Sequence, residues 1–228
     1  MLEVSNIKVY DLEESVIASR NAMRLTPPEY TNEEFEKSLP RAIQLANTKN
    51  GSGHQTFLSG IRVSFDLKYP NYISPELQRY HWVDIVTSAS KMHKLLKMNI
   101  DKACNKYISQ ETVLKMQKLI DDYNQIANGD SEYGIFFLRN GEQIDAHGKS
   151  EMLYHKWMQI ISECPQGLEL FMRVSTNYLQ LKTIYHQRKH HKLKEDWGTL
   201  CEAIESLPYA NEFIVGLKDD EYEQTKDN

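Results

Sequence analysis

Ile61, Val63, Phe65 and Leu67 alternate with Arg62, Ser64 and Asp66, the period of a strand with one buried and one polar face. A longer period governs the stretch 170–185. There Leu170, Val174, Tyr178, Leu181 and Tyr185 recur every three or four residues, which predicts a long helix with a single apolar stripe running on to Arg188. Leu12, Val16, Ile17 and Met23 predict an amphipathic helix over 12–23, stopped by Pro27-Pro28. Thr31 followed by Glu34 is a capping box opening a helix that runs toward Ala46, with a break or kink at Pro40.

Other boundaries come from turn chemistry. Residues 47–53 (NTKNGSG) form a loop. Ser74-Pro75 reads as an N-cap followed by proline at the first helical position. It predicts a helix carrying Arg79, Tyr80 and His81 and reaching about residue 98, with a break near 87–90. Val113, Leu114, Met116, Leu119 and Ile120 are the apolar positions of a polar helix over 108–126. Asn140-Gly141, between 133–138 and 143–146, predicts a hairpin. Helices are expected over 151–162 and 197–206. No linker divides the chain, so the expectation is one α/β (α+β) domain over 1–217, with a small, mostly antiparallel sheet flanked by long helices, and an acidic flexible tail over 218–228.

Composition narrows the function classes. With 40% hydrophobic and 26% charged residues, the 228-residue chain can build a core. Its net charge of -5 supplies no overall attraction to nucleic acid. The basic run 182–194 reads as a solvated helix end, so no nucleic-acid partner is expected. Cys104, Cys164 and Cys201 are widely spaced and include no CxxC pair, which argues against a disulfide frame or zinc knuckle. His186 and His190 lack the Glu of a metal-binding HExxH helix, and no metal is expected. No run is long and apolar enough for a membrane span, and the first ten residues lack a signal-peptide core. The expected location is the cytoplasm.

Three groups of residues could carry chemistry. Asn177 and Arg188 lie eleven residues apart, about 16 Å along one helical face. An Arg beside an apolar stripe is partly dehydrated, which strengthens its hydrogen bonds to anionic or enolate-like oxygens. The alternative is an Arg paired with a carboxylate on a neighbouring helix. Arg79-Tyr80-His81 sits near a helix start, suited to phosphate or flavin, or is a solvated face. His54, within Gly53-His54-Gln55-Thr56-Phe57, is either a loop ligand or structural.

Taken in order, these groups resemble the flavin-dependent thymidylate synthases. That family has a loop Gly-His and a strand, an Arg-His-Arg triplet, a Ser-x-Arg-Tyr segment, and a Thr-x-Asn-x-Arg helix with a catalytic Arg eleven residues after the Asn. This chain has Gly53-His54, the strand 61–67, Arg79-Tyr80-His81, Ser90-Lys91-Met92-His93, Thr176-Asn177 and Arg188. Ala18-Ser19-Arg20 and Arg24 are similar to the family's first helix. The resemblance implies a homotetramer binding FAD between subunits and converting dUMP to dTMP, with methylenetetrahydrofolate as carbon donor and NADPH as reductant. It assigns FAD to His54, Thr56, Arg79, Tyr80, His81, Asn177 and Thr183. It assigns the nucleotide to Glu76, Arg79, Ser88, Ser90, Lys91 and Arg173, with Arg188 as the catalytic group polarising the uracil ring.

The departures are also specific. The triplet reads Arg-Tyr-His, Met92 and Leu179 stand where the family has arginines, and Glu76 stands where it has Gln. Losing two charged hydrogen bonds weakens nucleotide binding by roughly 10²–10⁴-fold unless Lys91, Lys94, Arg173 or Lys182 substitutes. A relative that binds nucleotide or flavin with altered or lost catalysis is therefore the second reading.

Overall fold

The computed structural model describes residues 1–49, 51–129 and 133–216; the tail over 218–228 lies outside them. The chain begins with β1 (Glu3–Tyr10), α1 (Leu12–Ala18), α2 (Asn32–Ala46) and β2 (Arg62–Pro70). Short elements follow: α3 (Ser74–Leu77), β3 (Asp84–Ser88), α4 (Lys91–Lys94) and α5 (Ile100–Ala103). Then come α6 (Gln110–Asn128), the hairpin β4 (Tyr133–Phe137) and β5 (Gln143–His147), and α7 (Lys149–Ser162). The last elements are β6 (Glu169–Asn177), α8 (Tyr178–Arg188) and α9 (Lys194–Glu205). A 3₁₀ segment covers His54–Ser59 and a π-helical turn covers Asn211–Val215.

These elements form two compact units. Among the described residues, one holds residue 1 with 70–74 and 89–170; the other holds 2–69, 75–88 and 171–216. In the first unit, α6 packs on α7 and buries Val113, Met116, Leu119 and Ile120. Leu114, expected among that helix's apolar contacts, is exposed because it lies off this face. The hairpin pairs in register, Gly134 opposite Ala146 and Phe137 opposite Gln143, as its Asn-Gly turn predicts.

The second unit carries a four-stranded sheet in the order β1-β2-β6-β3, with β1–β2 and β3–β6 antiparallel. Val63, Phe65 and Leu67 are buried as their alternation requires, and Val63 and Phe65 meet Leu181, Leu200 and Ile204 from α8 and α9. The opposite face is polar. Arg173 bonds Asp66 at 3.0 Å, Arg62 bonds Ser175 at 3.2 Å, and Asn6 bonds Asp66 at 2.6 Å.

The structure changes the reading of four segments. The helix expected over 170–188 is a strand followed by a helix. Leu170, Met172, Val174 and Thr176 are buried, while Phe171, Arg173 and Ser175 are more exposed. That is a period of two, and Leu170 and Val174, four apart, fit either period. The helix expected over 74–98 is the single turn α3, then β3 over most of the middle, with helical turns returning only after the expected break, in α4 and Leu95–Lys97. Val83, Ile85, Val86 and Thr87 are stiff at χ1 and favour extended backbone. Residues 3–10, read only as lacking a signal sequence, form β1. The break expected at Pro40 is absent, since α2 runs unbroken over Asn32–Ala46.

Thr31 does cap α2, its Oγ1 accepting from the Glu34 N–H at 3.2 Å. The Glu34 carboxylate does not return to the cap; it turns to Arg24 and Arg20 instead. The other end of α2 is closed by Lys182, whose Nζ donates to the carbonyls of Ala46 at 2.7 Å and Phe213 at 3.2 Å. Lys182 is buried, which pushes its ammonium down to about 8. A lysine lowered in the folded state binds fewer protons there than in the unfolded chain once pH exceeds that value, so stability rises through this window. The stability difference between wild type and Lys182→Met is therefore expected to grow by about 1 kcal/mol from about pH 7 to 9. Urea titrations at both pH values measure it, and a flat difference contradicts the desolvated ammonium.

Candidate functional site

A cleft of about 1150 Å³ opens between α1, α2 and residues 53–60. Gly53, at φ 82°, occupies the left-handed region and starts the 3₁₀ segment that presents His54 and Thr56. A side chain at Gly60 would meet the Ser15 Oγ at 2.5 Å, so glycine lets this segment close on α1. Arg20, Lys37 and Arg41 line the cleft, and among the described residues no Asp or Glu does. Lys37 and Arg41 lie four apart on α2 and so share a face. Glu34 answers part of this charge, and the hydrogen bond from Arg24 holds its carboxyl below the usual carboxylate range. The Nε of Arg24 is buried without a hydrogen-bond partner among the described residues.

A second constellation forms where α8 ends. Arg188 donates from Nε to the Tyr80 hydroxyl at 2.7 Å and from a terminal nitrogen to Glu76 at 2.9 Å. Its guanidinium lies 4.3 Å from the centre of the Trp197 ring and 5.5 Å from that of Tyr80, within range of a cation–π attraction. The same Glu76 oxygen accepts from the Trp197 indole N–H at 3.0 Å and lies 3.7 Å from the His191 Nε2. Tyr80 donates its own hydroxyl hydrogen bond to the Gln187 Oε1 at 3.1 Å. The chain around Tyr80 is held by Gln180, which accepts from the Trp82 N–H, and by Thr176, which donates to the Trp82 carbonyl.

Solved structures share this architecture. A flavin-dependent thymidylate synthase from Helicobacter pylori, complexed with FAD and dUMP, superposes with a TM-score of 0.63 at 16% identity, covering 95% of this chain and 100% of that one. A second structure of the enzyme from the same organism, also with FAD and dUMP, gives 0.60 at 15% identity, covering 94% and 97%. This is the flavin-dependent thymidylate synthase fold. No protein-family model and no curated protein matches the sequence.

Within the thymidylate synthase fold, the predicted residues divide into groups. His54 and Thr56 line the cationic cleft. Glu76, Tyr80 and Arg188 converge at the end of α8. Asn177 does not join them: it is buried, and its Oδ1 caps α8 by accepting from the Gln180 N–H at 2.9 Å. Arg79, His81 and Ser88 are exposed, the last at the end of β3. Thr183 is exposed on α8 and bonds the Leu179 carbonyl. Arg173 is engaged on the polar face of the sheet with Asp66 and the Asn6 carbonyl. Ser90 and Lys91 belong to the other unit, where Lys91 bonds Asn71 at 3.0 Å. Lys182, considered as a replacement cation, is buried against two carbonyls and cannot serve.

Sequence reasoning missed Trp197, Gln187, Lys37 and Arg41. The two α2 cations at i, i+4 were a readable signal on a helix flanking the Gly-His loop. No local pattern joins Trp197 to Arg188, because the contact depends on the turn that brings α9 back onto α8.

Proposed function

We propose that the chain is a cytoplasmic flavoprotein of thymidylate synthase type, with residues 1–217 as its functional domain, binding FAD in the cleft at His54 and a uracil compound at Arg188. In its full form the reaction converts dUMP to dTMP, with methylenetetrahydrofolate as carbon donor and NADPH as reductant. The cleft carries this reading: Arg20, Lys37 and Arg41 line it and, among the described residues, no carboxylate does, only Arg20 of the three being paired to a nearby one, Glu34, in a chain of net charge -5. A pyrophosphate-bearing cofactor is the class such a site suits. The unpartnered Nε of Arg24, a buried donor near the same wall, is consistent with an acceptor arriving from outside the chain.

His54, Thr56, Arg20, Lys37 and Arg41 would hold FAD, which when bound supplies the redox capacity of the reaction. Arg188 has five N–H groups, of which Tyr80 and Glu76 take two. A remaining donor can stabilise negative charge developing on a uracil carbonyl oxygen as a ring carbon becomes nucleophilic. The Glu76–Arg188 pair favours the second reading, altered catalysis, because the carboxylate offsets the charge Arg188 would bring to that oxygen. β3 is exposed along its whole length, with Val86 and the nearby Trp82 prominent, and supports assembly into the homotetramer we propose.

Purified protein incubated with FAD is expected to retain flavin absorbance in a tetramer-sized species and to oxidise NADPH when a uracil nucleotide is added. Arg188→Ala should lower that turnover by about 10²-fold or more. Protein that stays colourless with added FAD ends the proposal.

A further inference from the structure

We infer that Tyr80 is a positioning residue for Arg188: its hydroxyl, itself held by Gln187, aims the guanidinium so that one terminal nitrogen, Nη2, faces the bound pyrimidine. The inference rests on the reading that a uracil ring binds beside Arg188. The resemblance gives Tyr80 to FAD, at a place where the family carries a histidine. In this chain the Tyr80 ring is buried and its hydroxyl is shared between Arg188 and Gln187.

A guanidinium is planar, so a few contacts fix its direction. The Tyr80 oxygen accepts from Nε at 2.7 Å, Glu76 accepts from Nη1 at 2.9 Å, and the Trp197 ring lies 4.3 Å below the central carbon. That leaves Nη2 with both its hydrogens. Among the described residues the buried side-chain nitrogen without a partner is the Nε of Arg24, so Nη2 of Arg188 reaches solvent and is open to a ligand. A phenol has one hydrogen to give, and Tyr80 gives it to the Gln187 Oε1 at 3.1 Å. Toward Arg188 the oxygen can then only accept, which is the role that holds Nε. Tyr80 is in turn fixed from behind. Its ring meets Trp197 edge-on, and the neighbouring Trp82 backbone is tied to Gln180 and Thr176.

The test uses FAD-loaded protein and uracil-nucleotide-dependent NADPH oxidation, with kcat and KM measured separately. Tyr80→Phe keeps the ring 5.5 Å from the guanidinium and removes only the hydroxyl. It frees the Nε end while Glu76 still holds Nη1. Because aim matters most when charge develops, kcat is expected to fall by about tenfold or more, with flavin retained and KM within about twofold of wild type. Gln187→Leu, on the exposed side of the same chain of bonds, should give a smaller loss in kcat of about threefold, again without a change in KM. Active wild type with an unchanged kcat in Tyr80→Phe overturns the inference and leaves the proposed function standing. A rise in KM at constant kcat, or loss of FAD from Tyr80→Phe, also overturns it, since Tyr80 would then touch nucleotide or flavin directly. Should Tyr80→Phe fail to fold, Gln187→Leu decides by the same split. Wild type that holds FAD without turnover removes the proposed reaction and this inference together.

Discussion

Trp197→Ala is expected to destabilise the chain by about 3–5 kcal/mol, the usual cost of deleting a fully buried aromatic side chain. The ring is entirely buried, packs edge-on against Tyr80 and His191, and lies beneath the Arg188 guanidinium. Its loss opens a cavity and also takes the indole N–H from Glu76. Urea denaturation followed by circular dichroism measures the change. A cost below about 1 kcal/mol would show that the ring does not brace the α8–α9 corner. Trp197→Phe keeps most of the volume but not the N–H, so it should recover the larger part of the loss.

Arg188→Met is the second large effect. It leaves Glu76, only partly exposed, without its guanidinium, and is expected to cost about 2–4 kcal/mol because an unpaired charge stays in a poorly hydrated place. Glu76→Gln costs less, since the amide still accepts hydrogen bonds. The double variant should therefore be less damaging than the sum of the singles. A coupling of about 1–2 kcal/mol is expected between residues in one hydrogen-bonded network. Strict additivity of the two substitutions contradicts a direct ion pair.

These two substitutions separate stability from chemistry at the same corner. Arg188 was singled out as a catalytic group or as the partner of a carboxylate on a neighbouring helix. The structure shows the pairing, with Glu76 on α3 as the partner. Tyr80 and Glu76 use only two of the five guanidinium N–H groups, which leaves donors for the role proposed above. What the pairing alters is the charge offered to a ligand.

Much of the scaffold is written in the sequence itself. The alternation around Val63 and Phe65, the Thr31 cap of α2, the Asn140-Gly141 turn and the helices α6, α7 and α9 follow from interactions within a few residues. Local interactions write local patterns. The order of Gly53-His54, Arg79-Tyr80-His81 and Arg188 likewise pointed to the fold that the solved structures share.

Tertiary structure decided the rest. Residues 169–177 became β6 because its place between β2 and β3 in the sheet rewards extended backbone, although Leu170, Val174 and Tyr178 alone would suit a helix. Residues 84–88 became β3 through pairing with β6 for the same reason. Asn177 turned inward to cap α8 once the strand placed it at a helix start. The charge at Arg188 was set by Glu76 and Trp197, which lie 112 and 121 residues apart from their partners Arg188 and Glu76 respectively. Sequence by itself determines hydrogen bonds and periodicities that close within a turn or two. The electrostatics of a site depend on distances across the fold, because Coulomb attraction and desolvation follow spatial neighbours and take no account of separation along the chain.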